Sequence, residues 1–118
     1  MSYGRDRTVI PVTIASGASL SGDVNVNDLR IVGIEMPAGW TAASITFAAL
    51  IGDGTYGKVQ DAGGTEVTIT APAAGTYIAI ADTVALIGLG RIKVRSGVAA
   101  TPVNQAADRD FHLVCVAG

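Results

Sequence analysis

One cysteine, one histidine and one tryptophan are all that this chain of 118 residues holds of three residue types that often carry chemistry or anchor a core. With Cys115 alone, no intrachain disulfide framework can form, and the chain is suited to folding in a reducing compartment. With His112 alone, zinc spacing is absent, and any Ser-His-Asp triad would depend on that one residue. Charge is scarce too: 15% of residues are charged, 8 basic against 10 acidic, for a net charge of -2. Such a balance leaves no electrostatic footprint for a phosphate backbone or an anionic membrane, so neither nucleic acid nor a membrane is expected as a partner. The longest uncharged runs, residues 36–52 and 67–81, contain proline and glycine and fall short of the roughly 20 apolar residues of a spanning helix. Near the start, Pro11 and Thr13 interrupt the apolar stretch that a secretory signal would need.

What is present is aliphatic. Hydrophobic residues make up 49% of the chain and aromatics only 5%, so the core is expected to be built from Val, Ile, Leu and Ala. That content excludes intrinsic disorder. Large apolar patches are rarely left bare, so an oligomer or an assembly component is expected.

The length suits one domain, residues 1–118, with residues 1–8 as an extended N-terminal arm whose mixed charges and lack of pattern set it apart from the core. Periodicity then reads as strands. Ile10, Val12 and Ile14 alternate along Thr8–Ile14, where Pro11 predicts an edge strand because it donates no amide hydrogen. Polar residues recur at every second position over 23–28, with Val24 and Val26 between them, as in a strand with one wet face. Residues 30–36 place Val32, Ile34 and Met36 on one side; residues 44–50 place Ile45, Phe47 and Ala49 on one side. Trp40 falls in the turn between, where its ring can close the end of a core. Residues 56–60 and 66–70, with Val67 and Ile69 pointing in, flank the hairpin signal Asp61-Ala62-Gly63-Gly64-Thr65. A strand over 77–81 follows, then the one plausible helical turn, residues 82–89, with Asp82 as its cap. Along residues 91–95 Ile92 and Val94 face in while Arg91, Lys93 and Arg95 form a basic stripe with no acid interleaved. Residues 96–107 read as a loop, and residues 110–116 as the last strand. Short, evenly spaced strands with turn residues between them predict an all-β protein, a β-sandwich of the jelly-roll kind with little or no helix.

Three motifs bear on chemistry. Gly52-Asp53-Gly54-Thr55-Tyr56-Gly57-Lys58-Val59 matches GxGxxG, yet a dinucleotide fold needs a helix after the glycines and here a strand continues, so the glycines serve a hairpin. A kinase would need further motifs that the chain lacks. Asp23, Asn25, Asn27 and Asp28 look like the start of a calcium loop, but Asp28 stands where that loop requires glycine and Ile34 where it requires an acid. In a strand, His112 and Cys115 point to opposite faces, which speaks against a Cys-His pair. No Gly-x-Ser-x-Gly elbow occurs. No catalytic residue, cofactor or metal ligand is therefore expected.

The run from Ile34 to Phe47 (IEMPAGWTAASITF), then Asp53-Gly54-Thr55-Tyr56, and later Ile92-Lys93-Val94-Arg95-Ser96-Gly97 with Pro102-Val103-Asn104-Gln105-Ala106-Ala107-Asp108-Arg109, resembles small accessory virion proteins encoded beside the head genes of tailed bacteriophages. The resemblance covers most of the chain and carries no catalytic signature. It implies a capsid decoration or cement protein, located in the virion and assembled in the bacterial cytoplasm. Its partners would be the major capsid protein or another virion subunit, and its own state a homo-oligomer. The contact residues expected on this reading are Tyr3, Arg5 and Arg7 of the arm and Arg91, Lys93 and Arg95 of the stripe. A tail or neck component is the variant within the same class. Ile45-Thr46-Phe47 followed by Asp53-Gly54-Thr55-Tyr56 also resembles the galactose-binding-like jelly rolls of carbohydrate-binding modules, which would make Trp40, Tyr56 and Tyr77 candidate sugar stackers.

Overall fold

Aliphatic residues at every second position send one face of each strand inward, and the chain uses nearly every such run. The computed structural model describes residues 7–27 and 29–117. Its strands are β1 (Thr8–Ile14), β2 (Val24–Asn27), β3 (Leu29–Glu35), β4 (Ile45–Leu50), β5 (Tyr56–Lys58), β6 (Tyr77–Ala79), β7 (Gly90–Val98), β8 (Thr101–Pro102) and β9 (Arg109–Ala117). One sheet has the order β1-β9-β3-β6 and the other β2-β7-β4-β5, with β8 on the end of β7. All pairs are antiparallel, and β1 lies beside β9, β2 beside β7, β3 beside β6 and β4 beside β5. That is a long hairpin wound into two facing sheets, the strand order of a jelly roll. The expected β-sandwich is thus present, and the helical turn expected over residues 82–89 is one 3-10 turn, Val84–Leu86, that buries Leu86.

Val12, Ile14, Val26, Ile31, Ile34, Ile45, Phe47, Ile92, Val94, Phe111, Leu113 and Cys115 fill the space between the sheets. Pro11 sits on edge strand β1, as expected. In β3 the expected face is corrected. Ile31 and Ile34 are fully buried, Val32 is only partly so, and the register against β9 shifts between Ile31 and Gly33. Val32 is the extra residue of a β-bulge, and one inserted residue brings Ile31 back to the side of Ile34.

The second correction concerns residues 96–98, expected as loop but part of β7. Ser-Gly reads as a loop signal, yet Gly97 (φ 92°) is where β7 turns toward β8. A Cβ there would come within 2.7 Å of Thr101 O and Val103 N, so the close approach of the returning backbone requires glycine.

At this end of the sandwich three loops meet over one amide. Gln105 is 1% exposed. Its Oε1 accepts from Thr41 N (2.8 Å) and Arg109 Nε (3.1 Å), and its Nε2 donates to Thr41 O (3.0 Å) and Ser96 Oγ (2.7 Å). Its backbone accepts from Gly17 N and donates to Ala18 O. A primary amide offers two donor hydrogens and two acceptor lone pairs, and all are used. Trp40 closes the same end as expected, edge-on to Phe111 with centroids 5.9 Å apart and its indole N–H donated to Ala43 O. Replacing Gln105 by alanine would strand the buried Ser96 hydroxyl and partly buried groups of Thr41 and Arg109 together. We expect Gln105→Ala to lower unfolding free energy by about 2–4 kcal/mol in urea denaturation, and a loss below about 0.5 kcal/mol would show that water replaces the amide at no cost.

Candidate functional site

Pairing places the side chains on the outer face of the β2-β7-β4-β5 sheet, where Ala48 is 2% exposed and Thr46 fully buried. Ala48 of β4 stands opposite Lys93 on one neighbour and Lys58 on the other. Directly opposed residues share a face, so the two lysines flank a small residue with Cα atoms about 10 Å apart. Arg91 lies opposite Asn25, Tyr56 opposite Leu50 and Arg95 opposite Thr46.

Tyr56 organises this face. Its hydroxyl donates to Asp23, and Arg91 pairs with the same carboxylate at 2.5 Å. The Lys93 ammonium lies 4.6 Å from the ring centroid, within range of a cation–π contact. The Tyr56 hydroxyl, and after it the Arg91 guanidinium, holds the Asp23 carboxyl below the usual carboxylate range. The same hydrogen bond to Asp23 pushes the Tyr56 phenol above its ordinary value.

The basic stripe is therefore present on one strand but not uniform. Acids do interleave it, supplied from outside β7: Asp23 meets Arg91, and Glu66 meets Arg95 at 3.3 Å. Arg95 is only 12% exposed and also donates to Thr46, while Glu66 caps Ala99 N; that pair fastens the 59–70 hairpin to the sheet. Lys93 and Lys58 have no acidic partner among the described residues. Lys58, Tyr56 and Asp23 were not legible as members of this face, because only the strand order brings them onto the side of the sheet that carries the stripe.

The other expected site residues lie elsewhere. Tyr3 and Arg5 are outside the described residues. Arg7 bonds Glu35 at 3.1 Å, and Glu35 stands 3.5 Å from His112 Nδ1, on the outer face of the opposite sheet. Thr8 and Val9 are paired with Cys115 and Val114 within β1, so Thr8, expected in the arm, is sheet. The aromatics do not converge. Trp40 is part of the end cap, Tyr56 serves the cationic face, and Tyr77, half exposed, lies across Gly33, where a Cβ would sit within 2.5 Å of its ring. His112 is exposed while Cys115 is fully buried, as alternation predicts. The 52–57 glycines form a turn in which Asp53 accepts from Thr55 N and Oγ1. Of the calcium-loop candidates, Asp23 is engaged by Tyr56 and Arg91 and Asn25 Oδ1 accepts from Asn27 N, while Asp28 lies outside the described residues.

Two outcomes follow. Asp23 ionises below its ordinary value of 3.8 when folded, so its links stabilise the fold above that value and are lost as pH falls through the folded one. Asp23→Asn is expected to melt earlier than the parent near about pH 7 and to converge with it as pH falls through the folded Asp23 value, and in that variant the Tyr56 absorbance titration should fall toward 10.0; an unmoved tyrosine would contradict the link. Burial pushes the Cys115 thiol up to about 11. Ellman's reagent at about pH 8 should label the native chain on the order of 10²-fold more slowly than the urea-unfolded one; equal rates would contradict the burial.

No protein-family model matches the chain, and neither does any curated protein. Among solved structures, the crystal structure of the SPBc2 prophage-derived protein YomS is similar to it, with a TM-score of 0.58 and 13% sequence identity over 98% of this chain and 97% of that one. The likeness is one of fold, and it runs the length of both chains.

Proposed function

We propose that the chain is a non-enzymatic structural protein of a tailed-phage particle, a decoration or cement subunit that binds between capsid subunits. Its partner on this reading is the major capsid protein or another virion subunit. The observation that carries the proposal is the end-to-end fold likeness to a prophage-derived protein, taken with the sequence resemblance described above. The surface supports it. Lys58 and Lys93, beside the Arg91–Asp23 pair, put positive charge with no acidic partner among the described residues on one sheet face, while Leu50 and Ile51 at its border are 38% and 53% exposed. A rigid face of that kind suits an acidic, partly apolar surface and needs no reacting group. Cementing works by multiplicity: a modest contact repeated over a lattice becomes avidity.

The test uses gradient-purified particles of the phage that carries this sequence. The chain should be found by quantitative mass spectrometry at a fixed ratio to the major capsid protein, and added protein should saturate depleted heads. The double reversal Lys58→Glu/Lys93→Glu should weaken that binding by about tenfold or more, with the loss reduced at high salt. Absence of the chain from particles, or its presence in tails only, would contradict the proposal.

A further inference from the structure

A sheet edge presents unpaired backbone groups, and native proteins blunt such edges with proline, charge, bulges or shortness. Three of the four outer strands here are blunted. β1 carries Pro11, β2 has four residues and a register shift, and β5 has three residues, one of them Lys58. The fourth, β6, has three residues as β5 does, but it carries no charge, proline or register shift. Residues 76–81 (Thr-Tyr-Ile-Ala-Ile-Ala) contain no charge and no proline, and their pairing with β3 runs without a shift. Bonds to β3 pass through Thr76 O and Ile80 N. In an antiparallel ladder alternate residues bond in alternate directions, so Tyr77 and Ala79 direct their N–H and C=O groups to the open side.

Beside that edge lies a cleft of about 510 Å³ between residues 65–70 and residues 78–82. Its apolar lining includes Ile78, Ala79 and Ala81 and the edges of the core residues Val67, Ile69 and Ile80. Val67 and Ile69 bond toward Val59 and Ile45, so Thr68 turns its backbone groups away from β4. At one end Asp61 and Asp82 border both this cleft and an adjoining hollow of about 490 Å³. That hollow reaches Val84, which at 76% is the most exposed large apolar residue described. Asp61 accepts from its own turn and Asp82 from Ala85 N. Neither has a basic side chain in ion-pair range among the described residues, and no basic residue lines either space.

We propose that the β6 edge and this cleft receive an extended segment of a different protein, apolar at alternate positions and carrying lysine or arginine at the end that meets Asp61 and Asp82. Strand addition of this kind draws affinity from main-chain bonds and specificity from alternate side chains. The incoming backbone pairs with Tyr77 and Ala79, and its inward side chains cover Ile78, Ile80, Val67 and Ile69. The basic end supplies the charge that the two carboxylates lack. A second copy docking through its own β6 edge is a poorer occupant, since that edge is uncharged and is bordered by the same acids, and so brings no counter-charge.

The cleft belongs to the purified chain, so its test needs no particle and its failure leaves the proposed function standing. Fluorescence anisotropy of the full chain would be measured with fluorescein-labelled Val-Thr-Val-Thr-Val-Lys-Lys and with the same peptide ending in Glu-Glu. The lysine peptide should bind saturably and slow hydrogen exchange at Tyr77 and Ala79, and the glutamate peptide should bind at least about tenfold more weakly. Ala79→Pro removes an outward N–H that β3 does not use, so it should cut affinity by about tenfold with the melting temperature kept. Asp82→Asn should weaken the lysine peptide and leave the glutamate peptide unchanged or tighter. No binding by the lysine peptide, equal affinity for the two peptides, or a free chain that is a dimer dispersed by Ala79→Pro would each overturn the proposal.

Discussion

Register along β4 is the constraint on which this surface depends. A one-residue slip would turn Phe47 outward and Ala48 inward, emptying the core and separating Lys58 from Lys93. Two things hold it. Inside, Ile45 and Phe47 are fully buried. At one end, Thr46 Oγ1 donates to Gly97 O at 2.7 Å, and Ser96, opposite Ile45, receives the Gln105 amide. The polar knot around Gln105 therefore does more than close the sandwich; it fixes where β7 stands against β4, and so which side chains share the outer face.

That placement separates charge on a molecule with little of it. The net charge is -2, yet among the described residues the β2-β7-β4-β5 face carries Lys58 and Lys93 without an acidic partner, and the cleft beside β6 carries Asp61 and Asp82 without a basic one. The other charged groups on these elements are spent internally, Arg91 on Asp23 and Arg95 on Glu66. Exposed ion pairs of the first kind contribute little to stability. Their use is geometric: the Asp23 link holds Tyr56 flat under Lys93, which gives the cationic face a fixed shape.

The fold was legible where the physics is local. Alternation at Ile10, Val12 and Ile14, at Ile45 and Phe47, and at Ile92 and Val94 marked real strands with the right faces. Pro11 marked a real edge, and Asp61 with Gly64 a real turn. Residues whose role depends on distant neighbours were not legible. Val32 looks like a core position until β9 imposes a bulge. Gln105 sits in a polar stretch that nothing local distinguishes from exposed loop, although its side chain reaches Thr41 and Ser96. The basic stripe was visible, but its division into paired Arg91 and Arg95 and unpaired Lys93 needed Asp23, Glu66 and Lys58, which come from other strands and turns.

The most direct measurement is of side-chain proximity in solution, by nuclear Overhauser effects on a carbon- and nitrogen-labelled sample. The Ala48 methyl should show contacts to the side chains of both Lys58 and Lys93, while the Phe47 ring contacts core methyls only. Contacts from Phe47 to either lysine, or from Ala48 to the core in their place, would mean that β4 is in another register and that the cationic face does not exist as described.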